Sequence, residues 1–340
     1  MASQGESAFA FTVKGDTFAT VLECLGTKSV VAREYADATG ENCFEEIGID
    51  AVAAIVNDLI CVGALPLTVH AYFSTGAASW YHDMKRFAAL VEGWRRGCEI
   101  SGAVWGGGES PTLPGLVDER DIELAGSAVG FVPGGKPLLG DDLAPGDEIV
   151  LVASSGLHSN GSSLVRSIAK QLPEGYNHKL PSGRSFGQAA LTPSEIYAPL
   201  IAVLLDPAAE LRVKVSYLSH ITGHGLRKLM RADKELTYRI AALLPVPEFL
   251  AELVRWADMD SRSAYGTLNM GNGFAIYCRP GDGAKVVERA RAHHGNAILA
   301  GAVEEGPRRV ILEPLGVTFE ADELKLRADD PKPASVVPTG

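Results

Sequence analysis

Apolar residues along the 340-residue chain recur with two different periods, and the change from one to the other marks out its elements. Between Asp50 and Ala64, Val52, Ile55, Val56 and Leu59 share one helical stripe, the spacing of a core face. Asp50, Ala54, Asn57 and Cys61 share another, small and polar at one end, which a neighbouring chain or ligand can approach closely; a solvent-facing surface is the competing explanation. Met84, Phe87, Ala88, Val91, Trp94 and Cys98 predict a long amphipathic helix ending near Gly102. Short strands are predicted over AVWGGGE (103–109) and over ELAGSAVGFVP, which Pro133 and Gly134 close. The turn-rich GGKPLLGDDLAPGD then puts a domain boundary near residue 146.

Beyond the boundary, Glu148 to Ala153 suits a buried strand, and SSGLHSNG feeds a helix from Ser162 with Leu164, Val165 and Ile168 as its apolar face. Helices are also predicted over 193–205, 225–232, 247–257 and 284–293, and strands near 238–240, 273–277, 297–303 and 309–312. No internal repeat is visible. Arg327 to Gly340 carries three prolines and few apolar anchors, the pattern of a tail.

Composition narrows the function classes. With 42 acidic against 31 basic residues the net charge is −11, which argues against sequence-independent binding to nucleic acid or an anionic membrane. No run reaches the ~18 apolar residues of a membrane helix, and MASQGESAFAF lacks the pattern of a secretory signal. The cytoplasm is therefore the expected compartment. The five cysteines include no CxxC pair and are expected to be reduced core residues.

Three glycine-rich places join small residues to polar ones at element boundaries. They are Gly26-Thr27-Lys28 after Glu23; Gly106-Gly107-Gly108 before Glu109; and Ser154-Ser155-Gly156 before His158, Asn160 and Gly161. Glycine lets backbone N–H groups approach phosphate oxygens, although an ordinary turn uses the same residues. None is a Walker A loop or a GxGxxG fingerprint. Glu23, Asp50, Asp58 and Glu109 lie in or beside segments predicted as buried, where an unpaired charge is costly. Magnesium bridging carboxylates to nucleotide phosphates would compensate them, with helix capping and salt bridges as the alternative. Ser219-His220-Ile221-Thr222-Gly223-His224-Gly225 puts two histidines in a glycine-rich turn, better suited to polar ligand contacts than to a metal.

From about Glu23 to Val310 these clusters, in this order, resemble the aminoimidazole ribonucleotide synthetase family. The resemblance is carried by IGIDAVAAIVNDLICVGALPL, GGGESPTLPGLVDERDIELAGSAVG, SSGLHSNGSSLVRS, LSHITGHGL and YGTLNMGNGF. It implies an α/β (α+β) two-domain PurM-like fold. Residues 1–146 would form an ATP-binding and dimerisation domain whose sheet completes a barrel across a homodimer, 147–315 a C-terminal α/β sandwich, and 316–340 a mobile tail. It further implies ATP, Mg2+ and a phosphorylated amide substrate, formylglycinamidine ribonucleotide, whose amide oxygen is phosphorylated before ring closure. By position, Glu23, Asp58 and Glu109 become candidate metal ligands. Those three with Gly26, Thr27, Lys28, Asn57, Gly107 and Gly108 become nucleotide contacts, and Ser154, Ser155, Gly156, Asn160, Thr222 and Gly223 become substrate contacts. His220 is the candidate catalytic group.

The chain also departs from the family's pattern. Asp-Gly-Val-Gly-Thr-Lys appears as Glu23-Cys24-Leu25-Gly26-Thr27-Lys28, keeping a carboxylate one methylene longer. The glycine-containing leader that helps cover ATP is not expected in the short segment before Glu23. Charged family positions are replaced at Ala71, Ala77, Thr112, Glu195, Pro199 and Gly266. These departures leave two alternatives to a purine cyclo-ligase: a paralogue acting on another amide, or a noncatalytic nucleotide-binding homologue.

Overall fold

Strict alternation organises the first half of the protein, whose computed structural model describes residues 3–206, 208, 212–324 and 326. Five strands, β1 (Phe9–Val13), β2 (Asp16–Cys24), β3 (Leu65–Thr75), β4 (Val104–Glu109) and β5 (Ile122–Phe131), form a sheet in the order β1-β2-β5-β3-β4. All pairs are antiparallel except β3 with β4. In β5 every second residue, from Ile122 to Gly130, is buried, and those between are half-buried. One face of the sheet is therefore packed and the other open.

Helices α1 (Lys28–Thr39), α2 (Phe44–Ile60), α3 (Ser79–His82) and α4 (Met84–Ser101) belong to this domain, and α2 and α4 cross closely. Glycines permit the crossing: a Cβ on Gly93 would stand 1.9 Å from the Glu45 carbonyl oxygen. α2 is buried on nearly every side because it meets the sheet, α4 and the second domain. Its small, polar stripe faces that second domain, so neither solvent nor another chain accounts for it: Asp50 and Asn57 are both fully buried against residues 194–197.

The C-terminal half contains β6 (Glu148–Ala153), α5 (Ser162–Ala169), α6 (Phe186–Ala190), α7 (Ala198–Leu205), β7 (Val215–His220), β8 (Leu236–Ile240), α8 (Glu248–Trp256), α9 (Ser261–Thr267), β9 (Asn272–Cys278), α10 (Gly283–His294), β10 (Ala297–Glu305), β11 (Arg309–Leu312) and β12 (Val317–Glu320). The seven strands run β12-β11-β8-β10-β6-β9-β7, with β11 and β8 the parallel pair. Every residue of β7 and β9 is buried, the polar Ser216, Ser219, His220 and Asn272 included.

The structure corrects the expected elements in three places. The segment 225–230 is a 3-10 helix rather than the start of an α-helix, and Ser219 and His220 close a strand instead of opening a turn. Residues 317–323, expected to belong to a tail, are structured. Val317–Glu320 pairs antiparallel with β11, and Phe319 is buried because its ring fills the space beside Gly266. The proline-rich part from Arg327 onward lies outside the described residues. Among the described residues no helix is long and apolar enough to cross a membrane.

Candidate functional site

The two domains meet along α1 and α2, and a cleft of about 650 Å³ opens beside that contact. The end of β2 and the turn into α1 bring Glu23, Gly26 and Thr27 to one wall, and α2 adds Ala54 and Asp58. Gly26 has φ +70°, a left-handed conformation that lets the chain turn sharply from strand to helix. The other wall comes from the β6–α5 loop with His158, Asn160 and Ser162, and from the end of β7 with His220, Thr222, Gly223 and His224. Lys228 and Arg231 lie at the end of the following 3-10 turn.

Asp58 and His220 meet in the cleft, Nδ1 to Oδ1 at 2.7 Å, with both residues buried. Burial works against ionisation of Asp58, but Lys228, His220 and Arg231 outweigh it and hold the carboxyl down to about 2. Burial likewise lowers the His220 imidazole, against the pull of Asp58. A neutral ring that donates from Nδ1 fixes the orientation of Asp58 and keeps its second oxygen for a ligand. Glu23 behaves oppositely: burial first, then the Asp58 charge, push it up to about 7. Two carboxylates that resist simultaneous ionisation have the character of a cation site.

His158 is held in a left-handed backbone conformation, φ +59°. Its Nε2 faces the backbone N–H groups of Ser155 and Glu195 at 3.3 and 3.5 Å. Accepting from them places the ring proton on Nδ1, a donor with no partner among the described residues. Ser162 Oγ, at the first turn of α5, is buried and unpartnered as well.

The expected site residues divide. Glu23, Gly26, Thr27, Asp58, Asn160, His220, Thr222 and Gly223 line the cleft. Lys28 does not act there as a nucleotide contact: it is fully buried, its Nζ 2.6 Å from Asp50, and it donates to the Thr192 carbonyl. Asn57 reaches the cleft's edge, but its side chain is engaged, donating to Glu195 O and accepting from Tyr197 N–H. Ser154 and Ser155 bond to Asn269 and to the Pro193 carbonyl, and with Gly156 stand behind the cleft wall. Gly107, Gly108 and Glu109 sit on the exposed edge strand β4, away from the cleft of their own chain. Glu23, Asp58 and Glu109 consequently form no three-ligand set within one chain, and among the described residues no three His, Cys, Asp or Glu side chains are clustered for a metal.

Several lining residues are not anticipated by sequence reasoning. Glu6 and Ser7 reach the cleft from the segment before β1, where no contribution is expected; Tyr217 bonds Glu6 and the Arg231 guanidinium bonds Gly5 O. Lys228 and Arg231, three residues apart, lie in a segment expected only to be a helix, and their basic signal is the cue available there. His158 lies within SSGLHSNG but has no periodic or charge signal of its own.

The AIR synthase related protein, N-terminal domain, matches residues 5–132, and the AIR synthase related protein, C-terminal domain, matches residues 144–313. The chain belongs to the AIR synthase related family. A phosphoribosylformylglycinamidine cyclo-ligase of Methanothermobacter thermautotrophicus is 34% identical over 282 residues, 82% of this chain and 78% of that protein. The one from Lachnospira eligens is 34% identical over 274 residues, 79% and 77% of the two chains. Solved structures share the family's two-domain fold. Hydrogenase maturation protein HypE in complex with ATP superposes with a TM-score of 0.64 at 17% identity, over 92% of this chain and 85% of that one. AaThiL complexed with AMPPCP and TMP superposes with 0.62 at 15%, over 93% and 90%.

Proposed function

We propose that this AIR synthase related protein is an ATP-dependent cyclo-ligase. It converts formylglycinamidine ribonucleotide to aminoimidazole ribonucleotide, ADP and phosphate in the cytoplasm. The observation that carries this reading is a carboxylate pair, Glu23 and Asp58, facing unpartnered donors across one cleft, in a chain 34% identical to named cyclo-ligases. The amide oxygen attacks the terminal phosphorus of ATP, and the bond to ADP breaks. The internal nitrogen then attacks the activated carbon, the C–O bond to phosphate breaks, and a proton leaves the new ring.

Such chemistry depends on positioning and charge neutralisation more than on a covalent nucleophile. His220 is a positioning residue that holds Asp58. Asn160, Thr222 and Gly223 orient the substrate, and Gly26 and Thr27 present backbone to the nucleotide. The carboxylate pair fits Mg2+, which one or two carboxylates plus phosphates commonly hold. Glu23 and Asp58 would hold it, and it would supply charge neutralisation at the phosphates.

The open face of the N-terminal sheet supports a homodimer. Leu22 is 76% exposed near the stacked rings of Phe9, Phe11 and Phe18, and Val104 is 68% exposed on the opposite edge strand. Glu109 pairs in register with the half-exposed Tyr72 on that face, where a second copy would bring it toward the partner's cleft. Purified protein incubated with formylglycinamidine ribonucleotide, ATP and magnesium is expected to yield aminoimidazole ribonucleotide and ADP in equal amounts. A folded protein that turns over neither rejects the assignment.

A further inference from the structure

Lys228 is a cleft residue to which this reading gives no role. It stands in the 3-10 turn Gly225–Met230 and is only 6% exposed, yet its Nζ makes no hydrogen bond or ion pair with any described residue. The neighbouring cations are anchored. Arg227 donates to the carbonyls of His224, Glu323 and Gly266, and Arg231 donates to Gly5 O with Glu6 3.9 Å from its Nε. Asp58 and Glu23 are close enough to favour the charged lysine, but Asp58 already accepts from His220. An ammonium that lines the cleft and makes no hydrogen bond to the protein is placed to meet a ligand there. The same cleft holds two more donors without acceptors, His158 Nδ1 and Ser162 Oγ, the latter at the N-terminus of α5.

Three orphan donors around one space call for an anion with several oxygens in different directions. A planar carboxylate offers two oxygens in one plane, whereas a phosphoryl group offers three around a tetrahedral centre, and an ammonium binds such an oxygen as a point charge. The geometry points to Lys228 as a specificity residue that grips a phosphoryl oxygen of the bound ligand, across the cleft from His158 and Ser162. This rests on the proposed use of phosphorylated ligands, and two sources share the chemistry: the terminal phosphate of the nucleotide and the phosphate of a ribotide.

The test uses the full chain as wild type, Lys228→Met and Lys228→Arg. Each is titrated calorimetrically with AMPPCP plus magnesium and, separately, with ribose 5-phosphate, and melted without ligand. Lys228→Met is expected to weaken one of the two ligands by about tenfold or more, and Lys228→Arg to recover most of that loss. Loss confined to AMPPCP assigns the contact to the nucleotide, and loss confined to ribose 5-phosphate assigns it to the ribotide. Lys228 also favours the ionised Asp58 beside it, so the melts serve to confirm that Lys228→Met stays folded at the titration temperature. Unchanged affinity for both ligands, no binding of either by wild type, or a loss that Lys228→Arg does not recover would each overturn the assignment. Binding is read without turnover, so failure of the cyclo-ligase assay alone leaves this result standing.

Discussion

At the scale of single residues, the informative groups are those whose charge state depends on a neighbour. Glu23 is raised from its ordinary 4.5 to about 7, first by burial and then by Asp58. The folded chain therefore binds this proton more tightly than the unfolded one, and the stability it contributes falls as pH rises from about 4.5 through 7. Metal binding runs the other way, since a cation must displace that proton. Magnesium affinity in the presence of AMPPCP is expected to rise between about pH 6 and pH 8, and Glu23→Gln to flatten the rise. A wild-type affinity that is level over that range would remove the carboxylate pair as the metal-binding group. Lys28 makes the opposite case, a charge whose work is structural. Lys28→Met strands Asp50 in the interior and is expected to cost about 3–5 kcal/mol in urea unfolding, while Lys28→Met combined with Asp50→Leu recovers much of it. From sequence, Lys28 and Asn57 sit beside Glu23 and Asp58 and share their polarity. Only the approach of residues 192–197 from the second domain separates the two kinds, and that contact spans more than a hundred residues of chain.

At the scale of elements, close packing decides more than propensity. A Cβ on Gly93 would overlap the Glu45 backbone, which α2 cannot yield without leaving the sheet. Gly93→Ala is therefore expected to lose at least the ~1–3 kcal/mol of an overpacked core, despite alanine's better helix propensity. Ala88→Gly, at an exposed position of the same helix, should cost only about 1 kcal/mol. Equal melting temperatures for the two variants would show that α2 and α4 are not pinned at this crossing. The same physics explains which elements could be read in advance. β11, α4 and α10 are legible because one period persists over most of their length, and β6 because Ile149 to Val152 form an unbroken apolar run. β7 is not, because all six of its residues are buried, polar Ser216, Ser219 and His220 included, so no alternation survives. β12 is short and gains its place only by pairing with β11. Of the candidate site, the glycine turn at Gly26 and the Asp58–His220 pair come from recognisable motifs. Lys228, Arg231 and Glu6 become site residues only because β7 and the segment before β1 end at the same cleft.

At the scale of the whole molecule, the unresolved relation is between the cleft, which holds Glu23 and Asp58, and Glu109, which lies on the open sheet face of the same chain. A two-fold dimer through that face would let each chain lend its Glu109 to its partner's cleft. Complementation between two defective chains tests this directly. Asp58→Asn damages the cleft of its own chain; Glu109→Gln, if the carboxylate is lent, damages the cleft of the partner. In a heterodimer of the two variants, one cleft then receives both lesions and the other receives none. After unfolding and refolding an equimolar mixture, half of the dimers are mixed and each has one sound site of two, so activity should return to about one quarter of wild type. Each variant alone should remain inactive. If Glu109 instead served its own cleft, every cleft in the mixed dimer would carry one lesion and no activity would return. If it served neither, Glu109→Gln alone would keep full activity. Leu22→Arg, placed on the open face away from the cleft chemistry, should convert the dimer to monomer in light scattering and abolish the recovery together with it.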